Sequence, residues 1–168
     1  MGCDIHGFLE VRKNGKWEVF EENIFPLYGD KKCSAPFQWR SYNMFSFLAG
    51  VRNTSHVPHI NFTEGFPKDS EYLNEEVEEE WWSSYWTEPP VLIDTRGKGI
   101  LEDYNYHSFC HVYLKDLVDF DYDKTFLDKH GTIKTFREFL GEGFFDMIEV
   151  MKEIGNTEDV RFIYWFDN

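Results

Sequence analysis

The pair Asn14-Gly15 lies between two apolar segments near the start of the chain. Asn-Gly is the strongest short-range signal for a β-hairpin, because both residues tolerate the left-handed backbone of a two-residue turn. We therefore predict that a strand over residues 3–12 returns as a second strand from Trp17 to Phe20. At the other end of the chain, the apolar run from Val160 to Phe166 predicts a final strand.

Apolar residues recur at helical spacing in several segments between these strands. The predicted helices span residues 40–51, 114–118, 132–140 and 144–154. A further short helix is predicted after Ser70, which is suited to cap it, with Leu73 and Val77 as its apolar stripe. Residues 107–114 are predicted as another strand. Strands at both ends with helices between them indicate an α+β fold, a single domain over residues 1–168 with a mainly antiparallel sheet and a few packed helices.

The chain carries a formal net charge of −14 at pH 7. Such a charge repels phosphate backbones, so sequence-independent binding to nucleic acid is not expected. The densest acidic run is residues 75–80, which are followed by four large aromatic residues, Trp81, Trp82, Tyr85 and Trp86. Residues 71–90 are therefore predicted to form an acidic, Trp-rich insertion or lid, or a surface for a protein partner.

Three cysteines, Cys3, Cys33 and Cys110, are spread along the chain without a Cys-x-x-Cys pair. An odd, scattered set argues against a disulfide framework and favours reduced thiols in the cytosol. The longest apolar runs fall far short of the roughly 20 residues that are needed to span a bilayer. We therefore expect a cytoplasmic protein without a membrane span.

Asp4 and His6 are two residues apart in the predicted first strand, so their side chains are expected on the same face of the sheet. Three interpretations are open. The pair can serve as metal ligands or as a general base, Asp4 can fix the tautomer of His6 in a purely structural pair, or both residues can bind a ligand without a metal. Strand-borne metal sites of this kind usually have a second histidine two positions later, where this chain has Phe8. A metal is therefore the least favoured of the three.

Arg40 and Tyr42 lie at the start of the first predicted helix, and Arg52 follows its end. Anionic groups bind readily at helix N-termini, and an arginine can grip a phosphate through two hydrogen bonds. These three residues are therefore candidates for binding phosphate. The alternative is that the arginines pair with some of the many carboxylates of the chain.

A second polar cluster begins a later predicted strand. Strict alternation would place His107 and Phe109 on one face of the sheet and Ser108 and Cys110 on the other. Ser108 beside a histidine suggests a nucleophile, although the glycine-flanked turn that exposes such a serine in hydrolases is missing. A cysteine nucleophile, Cys3 or Cys110, paired with His107 is also open. The structural alternative is a polar strand end at the sheet edge.

Several patches of the sequence form one ordered set along the chain. They are Met1–His6, Arg40–Tyr42, Ala49–Arg52, Gly65–Ser70, His107-Ser108 and Tyr164–Asn168. Together they resemble a family of small proteins common in bacteriophages and prophages, whose most specific features are the opening Met-Gly-Cys-Asp-Ile-His and the closing Trp-Phe-Asp-Asn. The resemblance implies a phage protein that acts in the cytoplasm of the bacterial host. The family often has a second serine at the position of Cys110, and the segment from residue 75 to 86 is an elaboration of this chain.

Three functions are compatible with these observations. The first is a phage protein that binds and sequesters a small nucleotide-like ligand, such as a host defence signal, using the high aromatic content of 19% and a set of polar residues. Its ligand-binding candidates are Asp4, His6, Arg40, Tyr42, Arg52, His107 and Ser108. The second is a hydrolase of a nucleotide or phosphoester, metal-dependent or acid/base, with Asp4, His6 and His107 as catalytic candidates and Asp167 as a further ligand or acid/base group. The third is an acidic inhibitor of a host protein. Each is compatible with a homo-oligomer, and none requires a particular cofactor.

Overall fold

The fold is built on an antiparallel sheet that joins the first and last strands of the chain. The computed structural model describes residues 2–58, 60, 62–76, 93–94, 98–99 and 107–167. The helices in this part of the chain are α1 Tyr42–Ala49, α2 Glu71–Glu76, α3 Leu114–Asp119, α4 Phe136–Leu140 and α5 Glu142–Ile154. The strands are β1 Ile5–Lys13, β2 Lys16–Val19, β3 Phe25–Pro26, β4 Lys32–Cys33, β5 Thr63–Glu64, β6 Ile93–Asp94, β7 Lys98–Gly99, β8 His107–Tyr113, β9 Thr125–Leu127, β10 Ile133–Thr135 and β11 Val160–Phe166.

The predicted N-terminal hairpin is confirmed. β1 and β2 pair in antiparallel fashion up to Lys13 and Lys16, which flank the two-residue turn. The turn residues Asn14 and Gly15 have φ angles of 51° and 80°. Both are left-handed, as a tight turn that matches the twist of the strands requires.

The main sheet has the strand order β2-β1-β11-β8-β5, with every neighbouring pair antiparallel. β11 lies in the middle, and all seven of its residues are buried. A strand covered on both faces needs apolar side chains at almost every position, which explains the unbroken run that ends the sequence. The predicted α+β fold with N- and C-terminal strands in a mainly antiparallel sheet is confirmed.

Two apolar clusters cover the two faces of the sheet. On one face, residues such as Leu9 and Phe162 join side chains from α1, α3, α4 and α5 in the main core. Phenylalanines make up much of this core. For example, the ring of Phe47 in α1 lies 5.1 Å from the ring of Phe120 and 5.6 Å from that of Phe144. On the other face, a smaller cluster forms around Ile163 and Trp165 with Phe66, Leu73 and Phe109.

The helix ends follow the capping signals in the sequence. α1 begins after Ser41, whose Oγ accepts a hydrogen bond from the Met44 amide at 3.3 Å, and it ends at Gly50, which has a φ of 68°. α2 begins after Ser70, whose Oγ accepts from the Leu73 amide at 3.2 Å, while Val77 lies outside the described residues. Among the helices of the described residues, none combines the length and the apolar character needed to cross a membrane.

The helix predicted over residues 132–140 is wrong in its first part. Residues Ile133–Thr135 form β10, and the helix α4 begins only at Phe136. The boundary is set by a capping box, in which the Glu138 amide donates to Thr135 Oγ1 at 3.1 Å and the Thr135 amide donates to Glu138 Oε2 at 3.0 Å. Such a box fixes the start of a helix, so the preceding apolar residue is free to join a strand.

Candidate functional site

The sequence-predicted site residues come together at one end of the main sheet, which we call the sheet end. In the register of the strands, Ile5 pairs with Phe166, and Phe166 pairs with His107. β1 and β8 therefore begin where β11 finishes. This places the polar residues just before β1 and at its start close to the residue that follows β11.

Asp167 links the two terminal strands through its backbone and its carboxylate. The Asp4 amide donates to Asp167 Oδ1 at 2.8 Å, and the Asp167 amide donates to the Asp4 carbonyl at 3.1 Å. Asp167 Oδ2 lies 3.0 Å from His6 Nε2. The His6 ring also stacks on Trp165 at a centroid distance of 6.1 Å. The structural interpretation of the sequence predicted that Asp4 orients His6. In the structure, the carboxylate of Asp167 has this role.

The side chain of Asp4 is instead held by Arg40. Arg40 Nε and Nη2 donate to the two carboxylate oxygens of Asp4 at 2.8 Å and 2.5 Å. These hydrogen bonds hold the pKa of Asp4 below its usual range. The guanidinium also covers Gly2, where a Cβ atom would come within 2.5 Å of Nη1. Arg40 therefore follows the ion-pairing alternative, since its planar fork is already used by a carboxylate.

Tyr42 is the first residue of α1 and Arg52 follows its end, beside the same sheet end. The exposed Arg52 lowers the pKa of the fully buried Cys3 thiol against the larger effect of burial, and it has a φ of 52°. The Tyr42 ring, 39% exposed, lies 5.8 Å from Phe45, whose ring is 5.1 Å from Phe166. A guanidinium and a partly exposed aromatic ring thus both lie near the ends of the terminal strands.

His107 and Ser108 depart from regular strand geometry. Ser108 has a φ of 54°, and the register between β11 and β8 shifts between the pairs of Tyr164 and Phe166. The shift turns His107 onto the face of Phe166, on which its ring stacks at 6.2 Å. Cys110 also lies in the main core. The alternation expected from the sequence is therefore wrong here, because the irregularity moves His107 to the face of Cys110.

The two ring nitrogens of His107 have different surroundings. Nδ1 lies 2.9 Å from Ser108 Oγ, so one of these two groups donates to the other. Nε2 is buried and has no hydrogen-bond partner among the described residues. Buried polar atoms in native proteins nearly always have a partner, and non-glycine residues with positive φ are concentrated at functional sites. Both features set the first two residues of β8 apart from the rest of the sheet.

The buried cysteines do not supply a nucleophile at this sheet end. Burial raises the pKa of Cys110 to about 12 and also raises the pKa of Cys3, although Arg52 opposes the shift at Cys3. Both thiols therefore stay protonated at neutral pH, and the thiolate is the reactive form. Among the described residues, no group of three or more His, Cys, Asp or Glu side chains is arranged to hold a metal ion.

Some of the sequence predictions concern residues beyond the described ones. The acidic run continues past α2 to Glu80, and residues 77–90 of the acidic, Trp-rich insertion or lid predicted over residues 71–90 lie outside the described residues. From the sequence, Asp167 is only a candidate ligand or acid/base group of a hydrolase, and its contact with His6 is not predicted. The signal that could have found it is the antiparallel pairing of the two terminal strands, which brings the residue after β11 beside the residue before β1.

Comparison with known protein families, with curated proteins and with solved structures finds no match to this chain.

Proposed function

We propose that this protein binds a small nucleotide-like ligand at the sheet end and holds it without converting it. The observation that carries the proposal is the buried Nε2 of His107, which lacks a hydrogen-bond partner among the described residues. Leaving such an atom unsatisfied costs about 1–3 kcal/mol. A ligand that hydrogen-bonds Nε2 would recover this energy on binding.

The polar and aromatic groups near the ends of the terminal strands suit an anionic ligand with a planar ring. Arg52 is exposed and positively charged, and a guanidinium forms strong hydrogen bonds to phosphate. The partly exposed ring of Tyr42 offers a stacking surface, and the Ser108 hydroxyl lies next to His107. Arg40 is a weaker candidate for contacting phosphate, because a ligand would have to displace Asp4 from it.

The biological setting of this proposal comes from the resemblance to phage and prophage proteins. In that setting the protein acts in the cytoplasm of the bacterial host and withdraws a nucleotide signal from it. Sequestration requires tight binding and no nucleophile, which agrees with the protonated state of the buried thiols. The strongly negative net charge keeps such a binder away from nucleic acid.

Native mass spectrometry with a panel of nucleotides and cyclic nucleotides tests the proposal, since it reads both the complex and the mass of the small molecule. We expect the wild-type protein to retain one compound with its mass unchanged. His107→Phe keeps the ring that stacks on Phe166 but removes both nitrogens, so this variant should lose the complex. His130→Phe changes an exposed histidine on the turn after β9 and should behave like the wild type. Equal retention by His107→Phe would overturn the proposal.

A second candidate function is hydrolysis of a nucleotide or phosphoester. It is favoured by the contact of His6 Nε2 with Asp167 Oδ2 at 3.0 Å, because a carboxylate that orients an imidazole is a common arrangement for a general base. A small molecule recovered with a new mass would support this function over sequestration. His6→Ala and Asp167→Asn should then abolish conversion, and conversion that persists in both variants would exclude His6 as the base.

A further inference from the structure

One loop crosses the face of the main sheet that carries the smaller apolar cluster. This loop, residues 65–70, connects β5 to α2, and we call it the strap. The Phe66 ring lies 5.1 Å from the Phe109 ring and 6.3 Å from the Trp165 ring. The strap therefore covers part of this face through an apolar contact with β8 and β11.

Polar contacts fix the end of the strap to the sheet. Arg161 Nη1 and Trp17 Nε1 donate to the two carboxylate oxygens of Asp69 at 2.6 Å and 3.0 Å. The hydroxyl of Ser70 donates to the buried carboxylate of Glu10. Since Trp17 belongs to β2 and Arg161 to β11, these contacts tie the strap to the strands on both sides of β1.

The beginning of the strap is held by a buried imidazole. His111 Nδ1 lies 2.8 Å from the carbonyl oxygen of Gly65, and His111 is only 6% exposed. A carbonyl oxygen can only accept a hydrogen bond, so Nδ1 carries the proton and the neutral ring has its lone pair on Nε2. The Gly65 amide donates to the Phe109 carbonyl at 2.8 Å, which holds the strap against β8 at this point.

The groups around His111 come from every element that packs against it. On the neighbouring strands, its register partners Thr63 and Ile163 carry no charge, and the Tyr113 ring of its own strand lies edge-on at 5.7 Å. Three ionisable groups of other elements act on the charge of the ring: Arg161 of β11, Asp69 of the strap and Asp116 of α3.

These surroundings disfavour the doubly protonated, charged ring. Burial has the largest effect and lowers the pKa of His111, and Arg161 lowers it further. The hydrogen bond to Gly65 and the two carboxylates oppose this shift without cancelling it. The ring is therefore neutral at pH 7 while the strap covers it.

We propose that the strap is an acid-sensitive latch, which opens when His111 takes up a second proton at Nε2. An open strap gives the ring access to water, so the open state favours the charged form and the closed state favours the neutral form. Because one proton is taken up, the equilibrium constant for opening rises by at most about tenfold for each pH unit below about 6.5, the pKa of a histidine in water.

The latch can open while the sheet stays intact. Opening removes Asp69 from Arg161, but the guanidinium keeps Glu10 as its partner, since both residues belong to strands of the sheet. Opening also takes Phe66 away from Trp165, whose ring stacks on His6 at the sheet end. Acid thereby changes the surroundings of a candidate site residue through the strap.

Hydrogen exchange of backbone amides, followed by NMR on both sides of pH 6.5 and corrected for intrinsic exchange rates, tests the latch. We expect the opening constant of the Gly65 amide to rise as the pH falls, by up to about tenfold per pH unit. At each pH it should exceed the opening constants of the β11 amides, because the sheet stays closed. An opening constant of Gly65 that does not change with pH, or that equals those of β11, would overturn the proposal.

Three variants separate the titration of His111 from the other contacts of the strap. His111→Asn offers an amide nitrogen to the Gly65 carbonyl but does not titrate, so the opening constant should lose its dependence on pH. Asp69→Asn weakens the contact with Arg161 and should raise the opening constant at every pH while the dependence on pH remains. His130→Asn changes an exposed histidine and should behave like the wild type. Dependence on pH that persists in His111→Asn, or disappears in His130→Asn, would contradict the assignment to His111.

Discussion

Arg161 and Glu10 form an ion pair across β11 and β1, and both side chains are fully buried. Arg161 Nε and Nη2 donate to Glu10 Oε2 at 2.8 Å and 2.6 Å, and Nη1 donates to Asp69 Oδ1 at 2.6 Å. The guanidinium carbon lies 3.8 Å from the centre of the Trp17 ring. Ser70 donates to the other oxygen of Glu10. Both oxygens of the Glu10 carboxylate therefore accept hydrogen bonds, and the Arg161 guanidinium contacts two carboxylates and an aromatic ring.

Removing one member of this pair should destabilise the fold strongly. Arg161→Met leaves the Glu10 carboxylate buried without its cation, and we expect the free energy of unfolding to fall by about 3–5 kcal/mol. Glu10→Leu/Arg161→Met removes both charges and should cost clearly less. Urea denaturation measures both values. Arg12→Met is the matched control, because the Arg12 pair with Asp159 is partly exposed and should contribute at most about 1 kcal/mol. Equal losses in Arg161→Met and Arg12→Met would contradict this prediction.

Gly7 should not tolerate a side chain. A Cβ atom at this position would meet the Ile163 carbonyl oxygen and lie 2.6 Å from the Phe162 ring. Gly7→Ala should therefore lower the free energy of unfolding by about 1–3 kcal/mol through overpacking. Gly143→Ala provides the opposite case, since a Cβ there meets nothing within 4 Å and the residue lies inside α5. That variant should stabilise the protein by about 0.5–1 kcal/mol. A thermal shift of the same sign for both would refute the steric argument.

The turn after β9 should make stability depend on pH in acid. Hydrogen bonds from the Thr132 amide, from Lys134 and from the His130 amide lower the pKa of Asp128 to about 2. In the unfolded chain this pKa returns to about 3.9, so the unfolded state binds more protons between these values. The stabilisation from Asp128 is complete above pH of about 4 and is lost as the pH falls towards 2. Denaturation curves of Asp128→Asn should therefore lack this part of the loss of stability in acid. A pH profile of stability equal to that of the wild type would contradict the prediction.

The buried thiols should react slowly with alkylating reagents. With a pKa of about 12, only about one in ten thousand Cys110 side chains is a thiolate at pH 8. Cys3 is fully buried and Cys33 is partly buried, with the pKa of both raised by burial. Mass spectrometry after timed alkylation should therefore show Cys33 modified before Cys3 and Cys110, and all three modified quickly in urea. Rapid labelling of Cys110 in the native protein would be the contrary result.

Local signals in the sequence were sufficient for most of the elements. The Asn14-Gly15 turn, the Ser41 and Gly50 boundaries of α1 and the Ser70 cap each depend on residues within one turn of the chain. The same holds for the apolar run of β11, because burial on both faces leaves a direct mark on the sequence. Ile133–Thr135 was misassigned because an apolar residue before a capped helix fits either a helix or a strand.

The site depended on contacts that sequence periodicity does not encode. The pairing of Asp167 with His6 spans almost the whole chain, and it requires the register of β1 against β11. The face of His107 depends on the irregularity at Ser108, which breaks the alternation of the strand. The sequence predicted which polar residues were candidates, but the pairing of Arg40 with Asp4 follows from how the chain before α1 meets β1.

The central position of β11 has a consequence for synthesis of the protein. β1 cannot pair with β11 until residues 160–166 have left the ribosome, and β11 is the strand that lies between β1 and β8. At translation rates of about 5–20 residues per second, this delay is roughly 8–30 s. During that time the inner edge of β1 is open to pairing with other chains, and the inner edge of β8 is open for the shorter time between its own synthesis and that of β11. Synthesis that ends before Val160 would therefore yield an aggregation-prone fragment rather than a shortened but folded protein.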